Sequence, residues 1–137
     1  MSEFLTLFTR ASKLVRDAGD EAYGRHGVRT GENLVLAALA DEDGLTPGEL
    51  AERLQVTTPT IVKMATRMEE SRLLTRTRDS KDARLVRLYL TDRGRAAYGP
   101  IEDERLRLQE RALSGLSDAD QRRLDDALAH VIRNLET

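Results

Sequence analysis

The feature that most limits how this chain folds is the run from Thr46 to Thr91, where two short helical patterns meet at a brief turn and two alternating strands follow at once. Thr46 supplies a capping hydroxyl, Pro47 suits the first helical position, and Glu49 stands where a capping-box carboxylate reaches back, so a helix starts at Thr46. Leu50, Ala51 and Leu54 then share one face. Gln55-Val56 lead to a second cap at Thr57 or Thr58, with Pro59 accommodated in the first turn. In this second helix Ile61, Met64, Ala65 and Met68 recur at helical spacing and should be buried. Thr58, Thr60, Val62, Lys63, Thr66 and Arg67 are left facing outward.

Two helices so joined also occur as a plain hairpin inside a core, and the next segment separates the two readings. Leu74 to Arg78 and Arg84 to Leu90 read as strands flanking an exposed tip, Asp79-Ser-Lys-Asp82. In the second strand Arg84, Val86, Leu88 and Leu90 alternate with Leu85, Arg87 and Tyr89. The order is helix, turn, helix, wing. Short hydroxyl, apolar and basic side chains on an exposed helix N-terminus suit the major groove of DNA. There Thr and Val meet thymine methyls or base edges, Lys bonds guanine acceptors, and the helix N-terminus favours phosphate.

The segment Asp82-Ala-Arg84-Leu-Val-Arg-Leu-Tyr-Leu90-Thr91-Asp-Arg-Gly94 resembles the wing signature of the MarR (multiple antibiotic resistance regulator) family. Leu50-Ala51 to Val56-Thr57, with Thr60-Ile-Val-Lys and Arg67-Met68-Glu69, is similar to that family's two core helices, and the likeness spans nearly the whole chain. The resemblance implies an obligate homodimer of winged helix-turn-helix lobes on a pseudopalindromic double-stranded operator. Recognition helices would enter adjacent major grooves and wing arginines the flanking minor grooves. It makes Arg84 the minor-groove arginine, Asp82 the residue that orients it, and Arg76 and Arg78 auxiliary phosphate contacts. It also implies small, often aromatic or phenolic, anions as effectors, for which Arg16, Tyr23, His26 and Tyr98 are the candidate ligand-binding groups. One position departs from the family: Arg72 stands where glycine is usual at the end of the recognition helix. There arginine either adopts a left-handed backbone under strain or ends the helix differently.

A net charge of −2 is unexpected for a DNA-binding chain until the charges are placed. From Ile61 to Arg95 there are 10 Lys and Arg against 5 Asp and Glu, a local +5, and the remainder holds −7. The basic charge is concentrated on the groove-facing elements. With no cysteine there is neither thiol redox sensing nor a zinc-thiolate site, and His26 and His130 alone do not suggest a histidine-rich metal centre. No cofactor is expected. An enzyme is the competing class, but there is no glycine-rich phosphate loop, nucleophile elbow or His-Glu-x-x-His pattern. A winged-helix interaction module that has lost DNA binding is the other alternative, against which Lys63, Arg84 and the local +5 argue.

The length suits one domain, 1–137, and the composition, 34% charged and 4% aromatic, suits a helical one. From Ser2 to Tyr23, Phe4, Leu7, Phe8, Ala11, Leu14, Val15, Ala18 and Ala22 form an amphipathic stripe that Gly24 and Gly27 end. Thr30 is placed to cap a helix whose apolar run is Leu34 to Ala40. Beyond the wing, Thr91 opens a long helix that Pro100 either kinks or breaks, and Ser117 starts a last one carrying Leu124, Leu128, Val131, Ile132 and Leu135. These terminal stripes exceed what one lobe needs, so segments 1–24 and 95–137 read as dimerisation helices around a DNA-binding lobe, 30–94. The fold class is mainly α with a small β-hairpin wing. No signal peptide or membrane span is expected, and the location is expected to be cytoplasmic.

Overall fold

The computed structural model describes residues 2–136. Helices α1 (Phe4–Gly24), α2 (Glu32–Asp41), α3 (Pro47–Leu54) and α4 (Thr58–Glu70) lead into strands β1 (Leu74–Arg78) and β2 (Val86–Leu90). Helices α5 (Asp92–Ala112) and α6 (Asp118–Leu135) follow. The strands pair antiparallel, with Leu74 opposite Leu90 and Arg78 opposite Val86. Leu45 adds a short rung beside β2, its carbonyl accepting from Leu88 N at 2.9 Å.

Local chemistry sets the helix starts. Thr46 Oγ1 accepts from Glu49 N at 3.1 Å and the Glu49 carboxylate accepts from Thr46 N at 2.9 Å, which completes the expected capping box. Thr91 and Ser117 cap α5 and α6 in the simpler way, each hydroxyl accepting a backbone N–H three residues on. Helix α4 has Thr57 at its N-cap position, but the hydroxyl lies 2.8 Å from that of Thr60 and caps no backbone amide.

Three expectations are corrected or resolved. Thr30 does not cap α2: Gly31 occupies that position at φ 101°, and Thr30 Oγ1 instead donates to Asp20 Oδ1 at 2.6 Å, tying the loop to α1. Strand β2 begins at Val86, because Arg84 and Leu85 are folded into the tip by bonds from Arg84 N to Asp82 Oδ1 and from Leu85 N to Asp82 O. Pro100 lies inside a continuous α5 and does not divide it.

The core sits between α2, α3, α4, the wing and the first half of α5. Leu36, Leu39, Leu50, Ile61, Met68, Leu74 and Leu88 are its fully buried large side chains. Gly94 belongs to this packing: a β-carbon there would stand 2.1 Å from Leu73 O, so only glycine lets α5 start hard against β1. Outside the core, the stripe of α1 is largely exposed, with Phe4, Leu7, Phe8, Leu14 and Val15 open, and α6 has no buried residue.

Candidate nucleic-acid interface

Helix α4 buries Ile61, Ala65 and Met68, and the opposite side carries Pro59, Val62, Lys63 and Thr66. Thr58, Thr60, Val62 and Lys63 are exposed as expected, and Thr66 is half-buried. The Thr66 hydroxyl donates back to Val62 O at 3.0 Å, so its proton is used inside the helix.

Arg67 does not face outward as the helical spacing suggested. Its Nη2 donates to Glu32 Oε1 at 3.1 Å and its Nε lies 2.8 Å from Glu32 Oε2, the second an ionic approach without hydrogen-bond alignment. The Glu32 side chain is only 3% exposed, and a carboxylate so buried needs a partner cation. The pair joins the C-terminal half of α4 to the start of α2. No sequence pattern marks it, since the two residues are far apart in the chain and Glu32 reads as an ordinary first-turn carboxylate.

The wing tip is built on two aspartates. Asp79 accepts from Lys81 N at 3.0 Å, from Asp82 N at 2.8 Å and from Arg87 Nε at 2.8 Å. Arg87 also donates to Gly44 O at 2.9 Å and lies 3.5 Å from the capping carboxylate of Glu49, so the tip is braced against the turn before α3. Asp82 then takes Arg84 three ways, through its backbone N at 3.0 Å, Nε at 3.1 Å and Nη2 at 3.2 Å. The Arg84 side chain is nonetheless 91% exposed. These partners hold both carboxyls below the usual aspartate range, Asp79 chiefly through the Arg87 guanidinium and Asp82 chiefly through that of Arg84. Asp79 and Arg87 were not singled out from the sequence. Arg87 falls on the outward phase of an alternating strand, where a cation is ordinary, and its partners are distant in the chain.

Arg76 and Arg78 are less free than Arg84. Arg76 is held by Glu69 of α4 at 2.9 and 3.1 Å, and Arg78 donates to Ala83 O at 2.7 Å across the tip. Arg72 takes the left-handed alternative at φ 63°, with Arg72 N bonded to Glu69 O and Leu73 N to Met68 O. That is the paired closure in which glycine is favoured.

A cleft of about 1280 Å³ runs between α1, the start of α2, the end of α4 and α5. Arg16 and Tyr23 line it, with Arg29, Arg67, Arg72 and Arg93. Burial pushes the Tyr23 phenol up. His26 and Tyr98 are not among the residues that line it, and Tyr98 lies with Tyr23 near the Arg105 guanidinium. His26 instead sits 3.7 Å from Glu104, on the side where α1 meets α5.

Residues 26–85 match the family model described as "MarR family". The chain is 31% identical over 117 residues to the HTH-type transcriptional repressor MdtR of Bacillus subtilis, across 85% of this chain and 76% of that protein. It spans about half the length of two further curated regulators that it matches, 48% and 56%. Among solved structures it resembles the MepR–DNA complex of S. aureus with a TM-score of 0.90 at 22% identity, over 98% of this chain and 100% of that one. The organohalide-sensing regulator RdhR in its 2,4-dichlorophenol-bound form gives a TM-score of 0.90 at 16% identity, over 96% and 79% of the two chains.

Proposed function

The chain belongs to the MarR family of transcriptional regulators, and from that membership we propose that it acts as a homodimeric repressor on a pseudopalindromic operator and is released by a small anionic ligand. Segments 1–24 and 95–137 form the dimer, and 30–94 is the lobe each protomer places on DNA. Thr58, Thr60, Val62, Lys63 and Thr66 face the major groove, Arg84 enters the minor groove on the support of Asp82, and Arg76 and Arg78 lie along the phosphates. Arg67 is withdrawn from this set, because its guanidinium already neutralises Glu32. The chain's relatives are regulators, not enzymes.

The observation that carries the reading is the wing: a guanidinium 91% exposed yet gripped by Asp82. A long cation gains from such support only if something outside the protein is to receive it, since an exposed ion pair by itself adds little stability. Minor-groove insertion of arginine is one such use. The exposed apolar residues of α1 and α6 support pairing with a second copy, and the arginines around the cleft support an anionic effector. The relative MdtR is a repressor and RdhR was solved with a chlorophenol, which favours repression and an aromatic effector here. Among the described residues no helix is long and apolar enough to cross a membrane, and the proposed place of action is the cytoplasm.

The test is selection of bound duplexes from a random library, then fluorescence anisotropy at two salt concentrations with nonspecific competitor. Competitor-resistant binding of two protomers per duplex, weakening steeply with salt, is the expected result. Binding that competitor abolishes at every selected duplex would reject the reading.

A further inference from the structure

Resting on the reading of α4 as the groove-facing helix, we propose that this protein selects its operator chiefly through the 5-methyl groups of pyrimidines, with Val62 as the principal reader. The side chains that read base edges by paired hydrogen bonds are Arg or Lys on guanine and Asn or Gln on adenine. Helix α4 contains no Asn or Gln, and its single arginine, Arg67, is turned inward onto Glu32. Lys63 is the one such side chain left on the outward side.

What the outward side does present is apolar. Val62 is 41% exposed, and Pro59 lies one turn before Lys63 on the same surface. Thr66 commits its hydroxyl proton to Val62 O at 3.0 Å, and the hydroxyls of Thr57 and Thr60 engage each other at 2.8 Å. Each of these bonds uses one hydroxyl proton, and each of these threonines also carries a γ-methyl. Lys63, exposed, is the one cation of this surface, and as a flexible point charge it takes guanine or phosphate without the fixed fork of an arginine. In the major groove the matching apolar feature is the methyl at C5 of thymine.

The selected operator duplex is synthesised with deoxyuridine in place of each thymine in turn, which deletes the methyl and preserves pairing, and affinity is measured with the full chain. At one or two thymines per half-site the substitution weakens binding about threefold to fivefold, the effect of burying one such group. Thymines outside the footprint are silent. With Val62→Ala the penalty at the affected thymine shrinks toward unity, a coupling that a general loss of stability does not produce. Equal affinity for the thymine and deoxyuridine operators overturns the inference while leaving the regulator reading intact, as does a penalty that persists unchanged in Val62→Ala. A library that yields no enriched duplex overturns both.

Discussion

At the residue scale, Arg84 and Arg72 are both arginines on exposed turns, with opposite consequences. Replacing Arg84 by alanine should leave folding unchanged and weaken operator binding by about 1–3 kcal/mol, read by anisotropy against an unchanged melting curve. Arg72 sits at φ 63°, where a residue with a β-carbon costs roughly 1–2 kcal/mol, while glycine surrenders part of that to its greater unfolded freedom. Arg72→Gly should therefore raise stability by about 1 kcal/mol in urea unfolding. The sequence displayed Arg72 as an oddity but left its backbone open, because an arginine can end a helix in more than one way. Arg67 was misplaced for a different reason. Helical spacing put it outward, yet it lies at the edge of the buried face, where a long side chain reaches inward once a buried carboxylate waits there.

At the scale of elements, what depended on neighbours in sequence was legible and what depended on distant partners was not. The capping box, the second cap position, the paired strands and the last helix's start follow from residues within a few places of each other. Thr30 was misread because the partner that claims its hydroxyl, Asp20, belongs to another helix. The meeting of α5 with β1 was equally hidden, since nothing near Gly94 in the chain shows how closely Leu73 O approaches. Gly94→Ala should separate the two elements and cost at least the about 1–3 kcal/mol of an overpacked core, seen as a lowered unfolding midpoint. The wing tip answers to pH. Because Asp79 and Asp82 are held below the usual aspartate range, the order they give is complete above that range and disappears as pH falls through their lowered values. Amide exchange at Lys81, Asp82 and Arg84 should stay slow from neutrality down to mild acid and accelerate below it.

For the whole molecule, the apolar stripes of α1 and α6 make a prediction that no single protomer satisfies. Phe8→Asp together with Ile132→Asp should leave the α2-to-wing core folded by circular dichroism, halve the mass seen in sedimentation, and abolish the tight operator complex. An unchanged mass would place the dimer surface elsewhere. Their amphipathic character and their excess over one lobe's needs were visible in the sequence, and the three-dimensional arrangement shows the core closing with only the last turns of α1. Helix α5 joins these two regions as one piece, beginning against β1 and running through Pro100 to Ala112. At 1.5 Å per residue it is a lever of about 30 Å, so a tilt of about 5° at the far end carries the near end through roughly 3 Å. Pro100, which withholds one hydrogen bond from the shaft, is the place where its stiffness is least. In the proposed dimer the length of that shaft, more than the chemistry of any one contact, would set how small a rearrangement among the terminal helices suffices to pull two reading heads out of step with the pitch of DNA.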